Sequence, residues 1–553
     1  MVVPNRFHSS PARPAGYATV AESSDVETDA EMDGAGGAEP TGPRLALRLA
    51  RGRPVQLVWR DWRVRAGVAC GVATLAALLS SWWMPFGPVS SNQALGAMVL
   101  GASSGAAAGA AMRSRWSMLL APVVFTAVFE LANVARRPDG LGEFVLGRGF
   151  HGVVGVLPML LGAAFGAAYT RRHRNGPAAI NGRARFGLYV RRTVAGIATG
   201  AIVALAVGLA WPASIAPIRD EKGNPVENSL AEKIRVEISG VDQGMFIRST
   251  DTRHPVLLFV HGGPGMPEYW LTQRYPTGLE DHFTVVWWEQ RGAGLSYDPG
   301  IPADEMTVEQ FVDDTLEVTR YLIDRFDQNQ IYLMGHSWGS YVGIQAAARA
   351  PELFHAYIGV GQVTHQIESE QLAYDYALEY YDGLGDQRML RKLRAAPPGT
   401  TVPLPDGYLK LRDEYMHRAG IGTTRDMTSV VTGIFLPSWR FREYTLMEKV
   451  NLWRGKIFSR NSSFGLWDTM LSTDLRTTVP ELAIPTYFFH GRHDYTCAYP
   501  LASSYLNVLD APMKGFYTFE ESAHSPMFEE PERTISILLG DVLNGTNDLA
   551  DRP

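Results

Sequence analysis

Gly335-His336-Ser337-Trp338-Gly339 fits G-x-S-x-G, the spacing of a serine held on a sharp strand-to-helix turn whose small neighbours lift its Oγ above a sheet. A serine hydroxyl attacks an acyl carbonyl only when a base takes its proton and a carboxylate orients that base. Asp494, in FFHGRHDYT, and His524, in ESAHSPMFEEP, follow in the chain order serine, acid, histidine. His490 and His493 compete for the base but sit on the acid's own loop. Asp510 stays open as an alternative acid, whereas Asp541 lies too far along. A tetrahedral intermediate also needs backbone N–H donors where negative charge develops. The glycines of His261-Gly262-Gly263-Pro264-Gly265 let main chain approach a substrate closely, so the N–H groups of Gly263 and Trp338 are the expected oxyanion hole.

Such residues need a scaffold, and the pentapeptide by itself is a weak signal, with roughly 0.2 chance matches in a chain of this length. A decoy is present: Gly101-Ala102-Ser103-Ser104-Gly105 also fits, but lies inside an apolar run with no strand before it. Residues 335–339 instead follow a β-rich run at 331–334 and lead into helical residues 340–350. Further short apolar runs at 256–260, 283–288, 356–360, 486–489 and 515–519 read as strands, and 306–326 has amphipathic helical spacing. Strands alternating with helices predict an α/β domain with a largely parallel sheet.

The first 220 residues follow other rules. Residues 1–43 are rich in Ala, Gly, Pro, Ser and acids and predict a disordered tail. Between 66 and 112 no charged residue occurs, and a break at Pro85, Pro88 and Ser90-Ser91-Asn92-Gln93 divides the run into two lengths of about 20 residues, enough to cross a bilayer. Further runs at 116–135, 152–170 and 193–211 bring the expectation to five spans. Arginines mark the retained side of each crossing. They crowd before the first span (Arg44, Arg48, Arg51, Arg53, Arg60, Arg63, Arg65), between the second and third (Arg113, Arg115), and between the fourth and fifth (Arg171, Arg172, Arg174, Arg183, Arg185, Arg191, Arg192). In the loop after the third span, Arg136, Arg137 and Arg148 are diluted by Asp139 and Glu143. The reading is a multi-pass protein of the cell membrane with a cytoplasmic N-terminus, residues after 211 outside, and the lipid bilayer as a partner. Glu130, near one span end, is read as pairing with a neighbour or reaching the interface ahead of serving as a relay.

Over 553 residues the net charge is −6 and no basic surface suited to nucleic acid stands out. Two cysteines, Cys70 and Cys497, offer no disulfide framework. The expected organisation is a tail and juxtamembrane segment at 1–65, an all-α membrane domain at 66–218, a first core part at 219–362, a cap at 363–478 and a second core part at 479–553.

Taken together, HGGPG at 261–265, WEQRGAGLS at 288–296, GHSWGS at 335–340, GRHD at 491–494 and the late His524 resemble the α/β-hydrolases of the proline iminopeptidase group, over roughly residues 230–545. The resemblance implies the α/β-hydrolase fold of about eight strands with a helical cap after the sixth, no metal and no organic cofactor. It also implies that Ser337 is the nucleophile, His524 the proton carrier and Asp494 its orienting acid. The family's usual DQRG is EQRG here, with Glu289 in a structural carboxylate role. No family signature for capture of a substrate amine aligns in the cap. Glu368, Glu379 and Trp439 are the cap residues expected to contact a small peptide or ester. Function then reads as an aminopeptidase of proline iminopeptidase type; the alternatives are an esterase, thioesterase or lipase on a membrane-proximal substrate, and a non-catalytic ligand-binding sensor or transporter.

Overall fold

The computed structural model describes residues 61–136, 140–175 and 182–551. The acidic tail, the arginines from Arg44 to Arg60, Arg137 and Asp139 lie outside the described residues.

Five apolar helices open the described chain: α1 (Trp62–Trp83), α2 (Ser91–Met112), α3 (Ser117–Ala132), α4 (Leu141–His173) and α5 (Gly182–Ala210). Asp61 caps α1 by accepting from Arg63 N at 2.8 Å, and Ser90 caps α2 by accepting from Gln93 N at 3.2 Å. The expectation of five spans is met in part. Four of these helices are long and apolar enough to cross a membrane, whereas α3 has 16 residues. At 1.5 Å per residue α3 extends about 24 Å against a hydrocarbon layer of about 30 Å.

Glycines decide how these helices pack. A Cβ on Gly101, Gly105 or Gly109 of α2 would lie 2.1, 2.1 and 2.2 Å from the carbonyl oxygens of Gly155, Met159 and Ala163 of α4. Residue numbers rise together on the two helices, so α2 and α4 run parallel in backbone contact, a small-residue interface of the kind lipid-embedded helices use. The chain must therefore reverse once between them, and α3 supplies that reversal. Glu130 near the end of α3 pairs with Arg148 at 3.5 Å.

Beyond residue 211 stands an eight-stranded sheet of order β1-β2-β4-β3-β5-β6-β7-β8. The strands are β1 (Leu230–Ile238), β2 (Val241–Ser249), β3 (Val256–Val260), β4 (Thr284–Trp288), β5 (Ile331–His336), β6 (Phe354–Val360), β7 (Thr486–Gly491) and β8 (Lys514–Phe519). From β4 to β8 all neighbours pair parallel, while β1 and β2 form an antiparallel hairpin that joins β4. Every residue of β3, β4, β5 and β7 is buried, which explains their largely apolar sequences. Helix α6 (Val308–Phe326), capped by Thr307, and α7 (Trp338–Arg349) cross between strands. The cap lies between β6 and β7 and includes α8 (Gln366–Gly383), α9 (Asp406–Arg418) and α10 (Leu446–Phe458).

One face of α10 touches the apolar helices. Arg454 donates to the carbonyls of Pro88 at 2.7 Å and Phe86 at 2.9 Å in the α1–α2 turn, and Asn451 Nδ2 donates to Val89 O at 2.7 Å. Its other face reaches the core: a Cβ on Gly265 would sit 2.6 Å from Ser459 Cβ and 2.8 Å from Gly455 O. The α1–α2 turn, α10 and the HGGPG loop are thus stacked in sequence.

Candidate active site

Ser337 stands between β5 and α7 with φ 56° and ψ −122°, a left-handed conformation that L-residues avoid unless the surroundings impose it. The neighbouring glycines make that turn possible. A Cβ on Gly339 would lie 1.9 Å from Val260 O, and one on Gly335 would lie 2.4 Å from Gly339 O. Ser337 N donates to Val360 O at 3.0 Å, fixing the turn to the adjacent strand. Trp338 opens α7, so its N–H is one of the first-turn donors that have no intrahelical acceptor.

His524 and Asp494 meet from the loops after β8 and β7. His524 Nδ1 lies 2.9 Å from Asp494 Oδ2, and both side chains are buried. The second carboxylate oxygen, Oδ1, accepts from Cys497 N at 2.9 Å. Burial alone would raise the Asp494 pKa, but His524 and His490 overcome it and hold the carboxyl well below the usual carboxylate range. For His524 burial dominates and lowers the pKa despite the facing carboxylate, leaving a neutral imidazole near neutral pH. The His524 ring packs against His336, centroids 4.8 Å apart, and its backbone carbonyl lies 2.8 Å from His336 Nε2, which brings it beside the serine turn. Among the described residues no hydrogen bond joins Ser337 Oγ to His524; such contacts commonly tighten only around substrate.

The competing residues have other partners. His490 is buried with Nε2 2.7 Å from Cys497 O and 3.2 Å from Asp494 Oδ2. Asp510 is exposed, and Asp541 accepts from Tyr517 Oη at 2.7 Å and from loop amides.

The HGGPG loop runs alongside. Gly263 has φ 129°, and a Cβ there would lie 2.5 Å from Gly265 N, so this path belongs to glycine. His261 donates from Nδ1 to Gly262 O at 2.7 Å and accepts at Nε2 from Gln290 N at 3.1 Å; burial lowers its pKa to about 4. Gln290 ties three parts together, since its Nε2 donates to His261 O at 2.7 Å and its Oε1 accepts from Trp338 Nε1 at 2.9 Å. Next to it, Glu289 accepts from Leu295 N and from the Tyr444 hydroxyl, which fastens the cap to the core.

The three expected substrate contacts do not gather at the serine. Glu368 is held by Arg476 at 2.8 Å and His365 at 3.4 Å. Glu379 is exposed on α8. Trp439 packs against the apolar cluster that contains Met447, Val450 and Met84, on the side of the cap that meets the apolar helices. The buried carboxylate of α8 is Glu370, accepting from Arg412 at 2.6 and 2.8 Å, from Tyr408 Oη at 2.6 Å and from Gln366 Nε2 at 2.9 Å.

Sequence reasoning did not single out Glu268, Gln290 or His336. His336 Nδ1 lies 2.7 Å from Glu268 Oε1. The available signals were Glu268 three residues past HGGPG and His336 directly before the serine. Among the described residues no group of three or more His, Cys, Asp and Glu side chains is placed to hold a metal ion.

The chain belongs to the alpha/beta hydrolase fold family, whose profile matches residues 255–531, and it is a hydrolase of that fold. It is similar to the probable aminopeptidase YbaC of Bacillus subtilis (strain 168), 32% identical over 319 residues that make up 56% of this chain and 95% of that protein. A proline iminopeptidase of Heyndrickxia coagulans is 24% identical over 302 residues, 52% of this chain and 90% of the relative. The crystal structure of a proline iminopeptidase from Mycobacterium smegmatis superposes with a TM-score of 0.41 at 17% identity, over 56% of this chain and 98% of that one.

Proposed function

We propose that this hydrolase is a membrane-anchored serine aminopeptidase of proline iminopeptidase type, with its active site on the outer face of the cell membrane. Ser337 Oγ attacks the carbonyl of the N-terminal residue while His524 Nε2 takes its proton and Asp494 fixes the imidazole from Nδ1. The N–H groups of Gly263 and Trp338 receive the oxyanion; His524 protonates the departing amine, and water releases the acyl group by the same route in reverse. The observation that carries the reading is a serine at φ 56° on a glycine-flanked turn, beside a histidine whose far nitrogen is 2.9 Å from a buried carboxylate. A binding module has no need of that arrangement. The aminopeptidase choice is favoured by the names of the two relatives.

The membrane placement is supported by the surface of the first helices. Leu75, Val99, Leu119, Val123, Val194 and Ile197 are all exposed there, apolar side chains that lipid would cover. Trp82, Trp116 and Trp211, at helix ends, are exposed as well, where interfacial aromatics belong. The reading takes α3, between the parallel helices α2 and α4, as a fifth and short crossing, and on that count residues after 211 lie outside.

Incubating the purified full-length protein with a fluorophosphonate probe, then with aminoacyl anilides and p-nitrophenyl esters, tests the chemistry. Labelling lost in Ser337→Ala and preference for prolyl anilide support the reading. Labelling that survives the substitution defeats the serine assignment, and exclusive turnover of esters would move the protein to the esterase reading. Proteolysis of residues after 220 in intact cells tests the topology; full protection would reverse it.

A further inference from the structure

An aminopeptidase must hold the α-ammonium of its substrate, and that nitrogen is two bonds from the carbonyl carbon under attack. Its anchor therefore belongs within a few ångströms of the nucleophile. None of the three expected cap residues lies in such a place. Glu368 is already paired with Arg476 and His365, Glu379 faces solvent, and Trp439 carries no charge. Glu370 is saturated by Arg412, Tyr408 and Gln366.

Glu268 differs from all of these. A Cβ placed on Gly262 would lie 3.1 Å from Ser337 Cβ and 3.2 Å from Glu268 Oε1, so the absent methyl group of one glycine is all that separates the carboxylate from the serine. Oε1 is engaged by His336 Nδ1 at 2.7 Å, while the other His336 nitrogen faces the His524 carbonyl at 2.8 Å. Both partners of that ring are acceptors, so the pair must share a proton between them. Consistent with this, burial lowers the His336 pKa, but Glu268, the His524 carbonyl and Asp494 together outweigh it, and the net shift is upward. The other oxygen, Oε2, has no partner. Among the described residues it is the one buried carboxylate oxygen without a hydrogen bond. An acceptor shut off from water and left unpaired costs free energy, and a cation delivered to it recovers that cost in a low-dielectric setting.

Resting on the aminopeptidase reading above, we propose that Glu268 Oε2 receives the substrate's α-ammonium, making Glu268 the residue that selects substrates with a free amino terminus. The anchor is then on the core loop that follows HGGPG and not in the cap. Because Oε2 is covered, the atoms over it must move aside as substrate enters.

The test compares full-length wild type with Glu268→Gln on L-prolyl p-nitroanilide, which carries a free amine, and on p-nitrophenyl propionate, which has none. The expected result is a loss of about 10- to 100-fold in kcat/KM on the anilide, mostly through KM, with the ester changed less than about threefold. Equal losses on both substrates would reduce Glu268 to a support for His336, and no loss on either would remove it from the site; both overturn the assignment while leaving the aminopeptidase reading intact. Should wild type hydrolyse no free-amine substrate, that reading fails by itself. Glu268 is then judged by whether L-proline amide slows fluorophosphonate labelling of wild type but not of Glu268→Gln; equal or absent protection overturns it. If Glu268→Gln does not fold, Glu268→Asp, which keeps the charge on a shorter arm, is put through the same pair of substrates, and an equal effect on both again overturns it.

Discussion

The same pentapeptide pattern occurs in both halves of this molecule and does opposite things. In GASSG at 101–105, Gly101 and Gly105 press α2 against α4, and Ser103 and Ser104 bond back to the carbonyls of Val99 at 2.7 Å and Leu100 at 2.6 Å. In GHSWG at 335–339, the glycines clear room for a turn that forces Ser337 to positive φ. Glycine permits close backbone approach in each case. The decisive difference is what precedes the pattern: a helix already under way absorbs the serine hydroxyls into its own ladder, whereas a strand that must stop projects its serine outward.

Substitution of the two serines gives the widest separation. Ser337→Ala is expected to abolish fluorophosphonate labelling and lower kcat by at least about 10⁴-fold. Ser103→Ala removes only a bond within a helix turn, and its turnover should remain within about twofold of wild type. A large loss in Ser103→Ala, or retained turnover in Ser337→Ala, would erase the distinction. The pH profile addresses the same site with a smaller effect. The proposed mechanism needs neutral His524, whose pKa burial holds below 6.5, so kcat/KM should fall about tenfold per pH unit only below a midpoint lying under 6.5. A midpoint above 7 would place another group in control.

How much of this was legible in the sequence follows from the same contrast. Buried parallel strands are continuous apolar runs, and all six strands expected from the sequence are present with ends shifted by a residue or two. The hairpin of β1 and β2 had no such signal. Glu232, Lys233, Arg235 and Glu237 interrupt the first, and Asp242, Gln243 and Gly244 the second, because one forms the sheet edge and the other carries a buried polar residue, Gln243, that accepts from Trp288 Nε1 at 2.9 Å. Asp494 and His524 could be found because each closes a recognisable strand-to-loop motif. Glu268 and His336 could not be paired, since 68 residues separate them and only the fold brings them together. The surroundings of Trp439 were hidden for a related reason: an aromatic residue in a helical segment announces burial but not which of two surfaces it meets. In the first helices, apolar length was readable, while the short α3 and the parallel pairing of α2 with α4 depended on glycine contacts across 54 residues.

Bulk added to a glycine of the helix interface should expose the second contrast. Gly105→Leu drives a side chain into the Met159 backbone, where a Cβ already falls at 2.1 Å, and should destabilise the detergent-solubilised protein by about 1–3 kcal/mol in thermal unfolding. Ester turnover per labelled serine should persist at temperatures where the protein remains folded. Loss of turnover in the folded variant would show that helix packing reaches the serine, along the route from the α1–α2 turn through α10 to the HGGPG loop.

Carboxylates supply the last test. Glu130 in the helical half has the Arg148 guanidinium at 3.5 Å. Glu289 in the core has no cation against it, only the Tyr444 hydroxyl and Leu295 N–H, and burial outweighs them to raise its pKa to about 8. The folded chain therefore keeps a proton on Glu289 that the unfolded chain gives up near 4.5. Between these values the native state binds the extra proton, so this group's stabilisation is complete below 4.5 and declines as pH rises to about 8, by at most about 1.4 kcal/mol per unit. Glu289→Gln, which mimics the protonated form, should flatten that decline when denaturation midpoints are compared at pH 5.5 and 7.5. Identical slopes in the two proteins would mean that Glu289 is ionised in the core, and that Tyr444 and Leu295 suffice to hold a buried negative charge.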